Sequence, residues 1–287
     1  MVKKLLSLVK FSHTVFAMPF AMTGMFAGFR DAGGVEWKTF ALVALCMVFA
    51  RNAAMAFNRW LDRDVDALNP RTAVREIPSG AISPRAAMTF VVANVMGFVA
   101  TTYFINAICF YLSPVALFVV LFYSYTKRFT ALCHLVLGTG LALAPIGAYL
   151  AVTGKFEPSV VVLGGAVLCW VAGFDVIYAL QDEDFDRRKG LHSIPAALGY
   201  KGALWAARLL HLVSATALLV AAKMLGGGII FVGAAGFCAM LLRQHYLVHR
   251  YRLAKINLAF FTANGFASLF FGACAVGAFA MEIIARH

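Results

Sequence analysis

Apolar runs long enough to cross a lipid bilayer recur along this chain, and they leave few folds open to it. Read with a window of roughly 19 residues, they fall near 11–29, 38–57, 86–105, 107–124, 131–153, 158–180, 203–222, 226–242 and 258–281. Inside hydrocarbon every backbone N–H and C=O must be satisfied within the protein, so runs of this length are read as helices. Residue usage agrees. Hydrophobic residues make up 62% of the chain and charged ones 13%, with a mean hydropathy of +0.82, well away from the mix of a soluble domain. The expected fold class is all-α, a polytopic membrane protein of about nine transmembrane helices. The boundaries hardest to place are the tight turn near Asn106 and the run Gly226, Gly227, Gly228.

A net charge of +12 raises the question of a nucleic-acid partner, but the basic residues alternate by loop as membrane topology demands. Lys3, Lys4, Lys10, Arg59, Arg63, Arg71, Arg75, Arg85, Lys127, Arg128, Arg187, Arg188, Lys189, Lys201, Arg243, Arg250, Arg252 and Lys255 fall on one side. The other side carries Arg30, Lys38, Lys155, Lys223 and Arg286. The positive-inside rule then places the N-terminus on the cytoplasmic face of the cell inner membrane, with no nucleic acid involved. The opening KKLLSLVK does not read as a cleavable leader, because the apolar run behind it is long enough to span and lacks a small-residue cleavage site.

The acids are concentrated. Nine of the thirteen (Asp62, Asp64, Asp66, Glu76, Asp175, Asp182, Glu183, Asp184 and Asp186) lie in or beside two clusters at the cytoplasmic ends of the second and sixth runs. In NRWLDRDVD the oxygen-bearing residues Asn58, Asp62 and Asp66 recur at i, i+4, as do Asp182 and Asp186 in DEDFD. That spacing stacks them on one helix face, suited to holding a hard cation. Each cluster has an ionisable residue seven positions upstream, Arg51 before Asn58 and Asp175 before Asp182, about two turns deeper on the same side. The expectation is a pocket with a deep end and a metal-lined rim. Ionisable groups at the depth of Arg51 and Asp175 are costly and usually mark a site; a structural ion pair between the two is the alternative.

Other residues carry less. Cys46, Cys109, Cys133, Cys169, Cys238 and Cys274 sit inside apolar runs without metal or redox spacing. His134 and His211 read as packed or interfacial, and Gly138, Ala142 and Pro145 read as ordinary points of close approach or bending. Magnesium is typically held by one or two carboxylates together with substrate phosphates, so two carboxylate sets imply a diphosphate bridged between them. Arg71, Arg75, Lys127, Arg128 and Lys189 in the adjoining loops would supply its remaining counter-charge. A hydrophobic tail would run between helices toward the lipid bilayer.

At these residues the chain resembles a known family. NRWLDRDVDALNPRTAVREIPSG resembles the first aspartate motif of the UbiA-type intramembrane prenyltransferases, and DVIYALQDEDFDRRKGLHS resembles their second. YSYTKRF between them resembles that family's tyrosine–lysine–arginine loop, and the order and separation agree over nearly the whole chain. The resemblance implies one prenyltransferase domain over 1–287, in two pseudo-repeated halves of roughly 1–129 and 130–287. It also implies nine helices around a central cavity open to lipid. It implies Mg2+ on Asn58, Asp62, Asp66, Asp182 and Asp186, with polyprenyl diphosphate gripped by Arg71, Lys127 and Arg128. Two positions depart from the pattern: the family commonly has Arg-Pro where this chain has Arg75-Glu76, and many relatives carry lysine at His192.

The chemistry implied is departure of the diphosphate, leaving an allylic cation that an electron-rich aromatic ring attacks. Arg51 would read an acceptor carboxylate. Asp175 would orient a phenol hydroxyl, stabilise the cation or take the ring proton, and Tyr178 would shield the cation with its ring face. The acceptor is an aromatic acid, 4-hydroxybenzoate or a dihydroxynaphthoate of a menaquinone route. Haem O synthases and chlorophyll-type prenyltransferases share the aspartate motifs but fit the first run and the loops less well. A CDP-alcohol phosphotransferase would open its cluster with Asp-Gly, which neither cluster does. A cation transporter would place acids in the bilayer without needing basic loops beside both.

Overall fold

The structure, a computed structural model, describes residues 14–286. Lys3, Lys4 and Lys10, on which part of the orientation argument rests, and the start of the first apolar run lie outside the described residues. Every regular element among the described residues is helical. The chain forms two compact units, one of residues 38–125 and one of residues 15–37 and 126–286 within the described range.

The first unit holds α2 (Trp37–Leu61), α3 (Arg63–Leu68), α4 (Pro84–Ile105) and α5 (Ala107–Thr126). Helix α4 starts where Ser83 accepts a hydrogen bond from the Ala86 N–H and Pro84 supplies a helix-ready φ. It stops at Asn106, whose extended backbone (φ −163°, ψ 166°) breaks the helix while its Oδ1 accepts from the Cys109 N–H at 2.9 Å and so starts α5. One residue makes the whole turn. Helices α2 and α4 pack through Ala56, Ala87 and Val91, with Ile77 and Ile82 of the intervening loop closing the cluster. Asn52 donates to Asn94 at 3.1 Å, and Asn94 donates to the Phe90 carbonyl, so two amides in apolar surroundings satisfy each other.

The second unit contains α1 (Thr14–Ala32), α6 (Cys133–Thr153), α7 (Pro158–Ala179), α8 (Glu183–Lys189), α9 (Ile194–Met224), α10 (Ile229–Tyr251) and α11 (Asn264–Ile284). Its central helix is α7, which packs against α6 and α9 and buries Leu163, Trp170 and Ile177 completely. Small residues permit the approach. A Cβ added at Gly138 would strike the Leu168 carbonyl, one at Gly173 the His211 ring, and one at Gly24 the Pro145 carbonyl, the close-contact mode that membrane helices use where water supplies no driving force. Around Trp170 gather Phe16, Phe20, Phe174 and Phe237, and the indole N–H donates to Asn264 Oδ1 at 2.8 Å.

Eight of the described helical segments are long and apolar enough to cross a membrane, and α1, with Arg30 and Asp31 near its end, is the ninth long helix among the described residues. Helix α9 begins at Ile194, nine residues before the apolar run that announces it. Ser193 caps it by accepting from the Ala196 N–H, Pro195 follows, and Gly199 (φ +66°, ψ 177°) interrupts it, so its first turns hide from a hydropathy window. Likewise α10 continues to Tyr251 through polar residues that such a window discards. Gly226, Gly227 and Gly228 all take positive φ, which makes the turn between α9 and α10 a glycine requirement.

Replacing Gly24 by valine drives a side chain into the Pro145 backbone, so destabilisation of about 1–3 kcal/mol is expected. Gly147→Ala, where nothing lies within 4 Å of the added carbon, leaves stability unchanged or raised. Thermal melts of both variants in detergent check this; equal melting temperatures would contradict the packing described.

Candidate active site

In the first unit the acid motif straddles a helix break. Helix α2 ends at Leu61, Asp62 sits at the junction (φ −89°, ψ 4°) and α3 resumes at Arg63. Asn58 Nδ2 donates to Asp62 Oδ2 at 3.0 Å, fixing one carboxylate against its own helix. Asp66 is 6% exposed, and Arg75 Nη1 donates to both of its oxygens at 2.7 Å. The loop that carries Arg75 is tied down by Thr72 Oγ1, which donates to the Asp66 carbonyl, and by Asn69 Oδ1, which accepts from the Arg71 N–H. The Arg71 side chain is exposed.

Arg51 lies two turns deeper on α2. Its Nε and Nη2 are enclosed and have no hydrogen-bond partner among the described residues, and the same holds for Nε and Nη1 of Arg59. A guanidinium taken out of water without a counter-ion is unfavourable by several kcal/mol, so Arg51 marks a place where an anion would be welcome, whereas Arg59 has Asp66 and Glu76 within electrostatic reach. Tyr123 lies within electrostatic reach of Arg51, Arg59 and Asp62. Arg59 and Tyr123 were not singled out as site residues from the sequence, because a basic residue at a cytoplasmic helix end and an aromatic in an apolar run are both commonplace.

In the second unit α7 passes through a short tight turn, Leu180–Asp182, into α8. Asp182 and Asp186 are both buried, and the Asp186 side chain has no exposure at all. Lys127 Nζ stands 2.8 Å from Asp186 Oδ1, an ion pair without hydrogen-bond alignment. Ser193 Oγ donates to the other oxygen at 3.0 Å. The backbone closes the same frame: the Leu191 N–H donates to the Asp186 carbonyl and the His192 N–H to the Lys127 carbonyl. Burial works against the Lys127 ammonium, but the neighbouring Asp186 and Asp182 outweigh it and hold its pKa above the usual lysine value. Lys127 is therefore a fixed positive charge. Arg128 and Lys189 are exposed.

Asp175 lies on α7 and keeps part of its side chain exposed. His134 Nδ1, on α6 of the same unit, lies 2.6 Å from its Oδ2. That histidine is 3% exposed and passed for packing in the sequence; nothing in the spacing of residues 134 and 175 announces the contact. Tyr178, one turn beyond Asp175, packs against Phe260 with ring centroids 4.3 Å apart.

The donor set suits magnesium, which takes carboxylate oxygens and keeps waters and substrate phosphates as its remaining ligands. Among the described residues no three acidic, histidine or cysteine side chains already stand at ligand spacing; bases hold the buried carboxylates instead, Arg75 at Asp66 and Lys127 at Asp186.

Comparison with known proteins places this arrangement. The profile of the UbiA prenyltransferase family matches residues 17–279. A 4-hydroxybenzoate octaprenyltransferase of Shewanella halifaxensis is 29% identical over 238 residues, 81% of this chain and 82% of that one. The apo structure of a UbiA homolog from Aeropyrum pernix K1 superposes with a TM-score of 0.84 at 33% identity, covering 93% of this chain and 98% of that one. A UbiA homolog from Archaeoglobus fulgidus, solved with GPP and Mg2+, shares the fold at a TM-score of 0.76 and 23% identity, over 96% of this chain and 99% of that one. The polytopic helical fold and the two aspartate motifs thus define a membrane-embedded transferase. The chain belongs to the UbiA prenyltransferase family.

Arg75→Gln leaves the buried Asp66 carboxylate without its base. A loss of about 1–3 kcal/mol is expected, below the cost for a fully buried pair because Arg75 is partly exposed. Added Mg2+ should raise the melting temperature of this variant more than that of the wild type; an identical response in both would show that the cation does not seek Asp66.

Proposed function

We propose that this prenyltransferase carries out Mg2+-dependent transfer of a polyprenyl group from polyprenyl diphosphate to the ring of a hydroxylated aromatic acid, 4-hydroxybenzoate first among them. The observation that carries this reading is the pairing of buried carboxylates with bases at Asp66 and Asp186. Such pairs could exchange partners toward a metal diphosphate, with the carboxylates holding the cation and the bases the phosphate. Bound on Asn58, Asp62, Asp66, Asp182 and Asp186, Mg2+ would neutralise charge building on the leaving diphosphate. The inner-membrane location with these residues toward the cytoplasm, and the division into pseudo-repeated halves 1–129 and 130–287, are parts of the same proposal.

The remaining work falls to the chain's own side chains. Arg71, Arg75, Lys127, Arg128 and Lys189 hold the diphosphate as the allylic carbon–oxygen bond breaks and its electron pair leaves with the phosphate oxygen. The ring supplies the pair for the new carbon–carbon bond, and the hydrogen it displaces leaves as a proton to the Asp175 carboxylate. Tyr178 presents its ring face to the cation. Arg51, enclosed and without a partner among the described residues, reads the acceptor carboxylate as a two-pronged donor. A dihydroxynaphthoate offers the same carboxylate; the name of the Shewanella relative favours 4-hydroxybenzoate.

Purified protein supplied with Mg2+, labelled polyprenyl diphosphate and a panel of aromatic acids tests the reading by product mass. Prenylated 4-hydroxybenzoate is expected, together with loss of turnover in Asp62→Asn and Asp186→Asn; no transfer to any acid in the panel would sink the proposal. Arg51→Ala should raise the KM for the acid about tenfold or more and leave that for the diphosphate unchanged. An unaltered acceptor KM would remove Arg51 from its assigned role.

A further inference from the structure

We propose that His134 is the positioning residue for Asp175 and ties that acid to the frame that holds Asp186. The inference rests on the role given to Asp175 above, but the geometry is independent of it. His134 Nδ1 lies 2.6 Å from Asp175 Oδ2, while its Nε2 accepts from the Ile194 N–H at 3.3 Å. A nitrogen that accepts carries no hydrogen, so the second contact forces the ring proton onto Nδ1, where it can only be donated to the carboxylate. The backbone of α9's first turn thus selects the tautomer. With the ring 3% exposed, water has little chance to reverse it.

The consequence for Asp175 is orientation. One oxygen is pinned by the His134 donor. Oδ1 makes no bond among the described residues, and the side chain stays 26% exposed. An acid that must meet a ring hydrogen or a phenol hydroxyl in one direction needs one oxygen held and the other free. The anchor of the histidine matters too. Ile194 follows Ser193, whose hydroxyl donates to Asp186, which in turn faces Lys127, and the Lys127 carbonyl accepts from the His192 N–H. From Asp175 through His134 and residues 192–194 to Asp186 and Lys127, every step is a direct contact within one compact unit. The acid assigned to the ring and the acid assigned to the metal are held by the same few residues.

The side-chain nitrogen of asparagine is attached at the same carbon as Nδ1 of histidine, whereas that of glutamine reaches the position of Nε2. His134→Asn can therefore preserve the bond to Asp175, and His134→Gln cannot. In steady-state transfer assays on the full chain, kcat is expected to fall about tenfold or more in His134→Gln and to be largely retained in His134→Asn. The KM for polyprenyl diphosphate should be the same in both. Full turnover in both variants, or equal loss in both with a matching drop in melting temperature, would overturn the positioning role. A second readout needs no turnover. In protein labelled with 15N-histidine, a protonated Nδ1 signal assigned to His134 should be present and should shift or vanish in Asp175→Asn. Its absence in the wild type overturns the inference even where transfer occurs, while its presence in a protein that transfers nothing would discard the proposed reaction and leave the geometry standing.

Discussion

Carboxylates buried in a membrane protein must be answered by something positive, and that requirement organises the functional part of this chain. Leaving an ionised acid unpaired in low dielectric is unfavourable by several kcal/mol, yet Asp66 and Asp186 are both buried. Each is met by a base, Arg75 in one unit and Lys127 in the other, at 2.7 and 2.8 Å. The local structure serves these pairs. The loop after α3 is stitched by Thr72 and Asn69 so that Arg75 reaches back nine residues, and the Ser193 cap of α9 also bonds Asp186.

The pairs also explain how an acid-rich motif survives burial before any cation is bound. A base that neutralises a carboxylate can also bind phosphate, so under the proposed function the group that stabilises the protein would be the one the substrate recruits. The enclosed guanidinium of Arg51 is the complementary case. Its Nε and Nη2 have no hydrogen-bond partner among the described residues, a condition that a negatively charged substrate would relieve under the proposed function.

Much of this could be read from the residues. Apolar runs give the helices because hydrocarbon permits little else, and the i, i+4 acids give the two motifs, although each crosses a break, at Asp62 and at Leu180–Asp182, where the spacing alone implies one continuous helix face. What escaped did so for identifiable reasons. The start of α9 lies in a capped, glycine-interrupted turn that is not apolar, and the end of α10 is polar. The Arg75–Asp66 pair depends on the path of a loop, which no periodicity encodes. His134 is a lone histidine in an apolar helix 41 positions from its partner; its role exists only once α6 and α7 are packed, which in turn depends on Gly138 meeting the Leu168 carbonyl.

The measurement that bears most directly on the central claim is anomalous diffraction from crystals grown with Mn2+ and a non-cleavable polyprenyl thiodiphosphate. The result expected is metal density shared between diphosphate oxygens and carboxylates of both motifs, Asp62 or Asp66 together with Asp182 or Asp186, with Arg75 and Lys127 turned from those acids to phosphate. Metal bound to one motif alone, or a diphosphate held while both resting ion pairs stay closed, would contradict it.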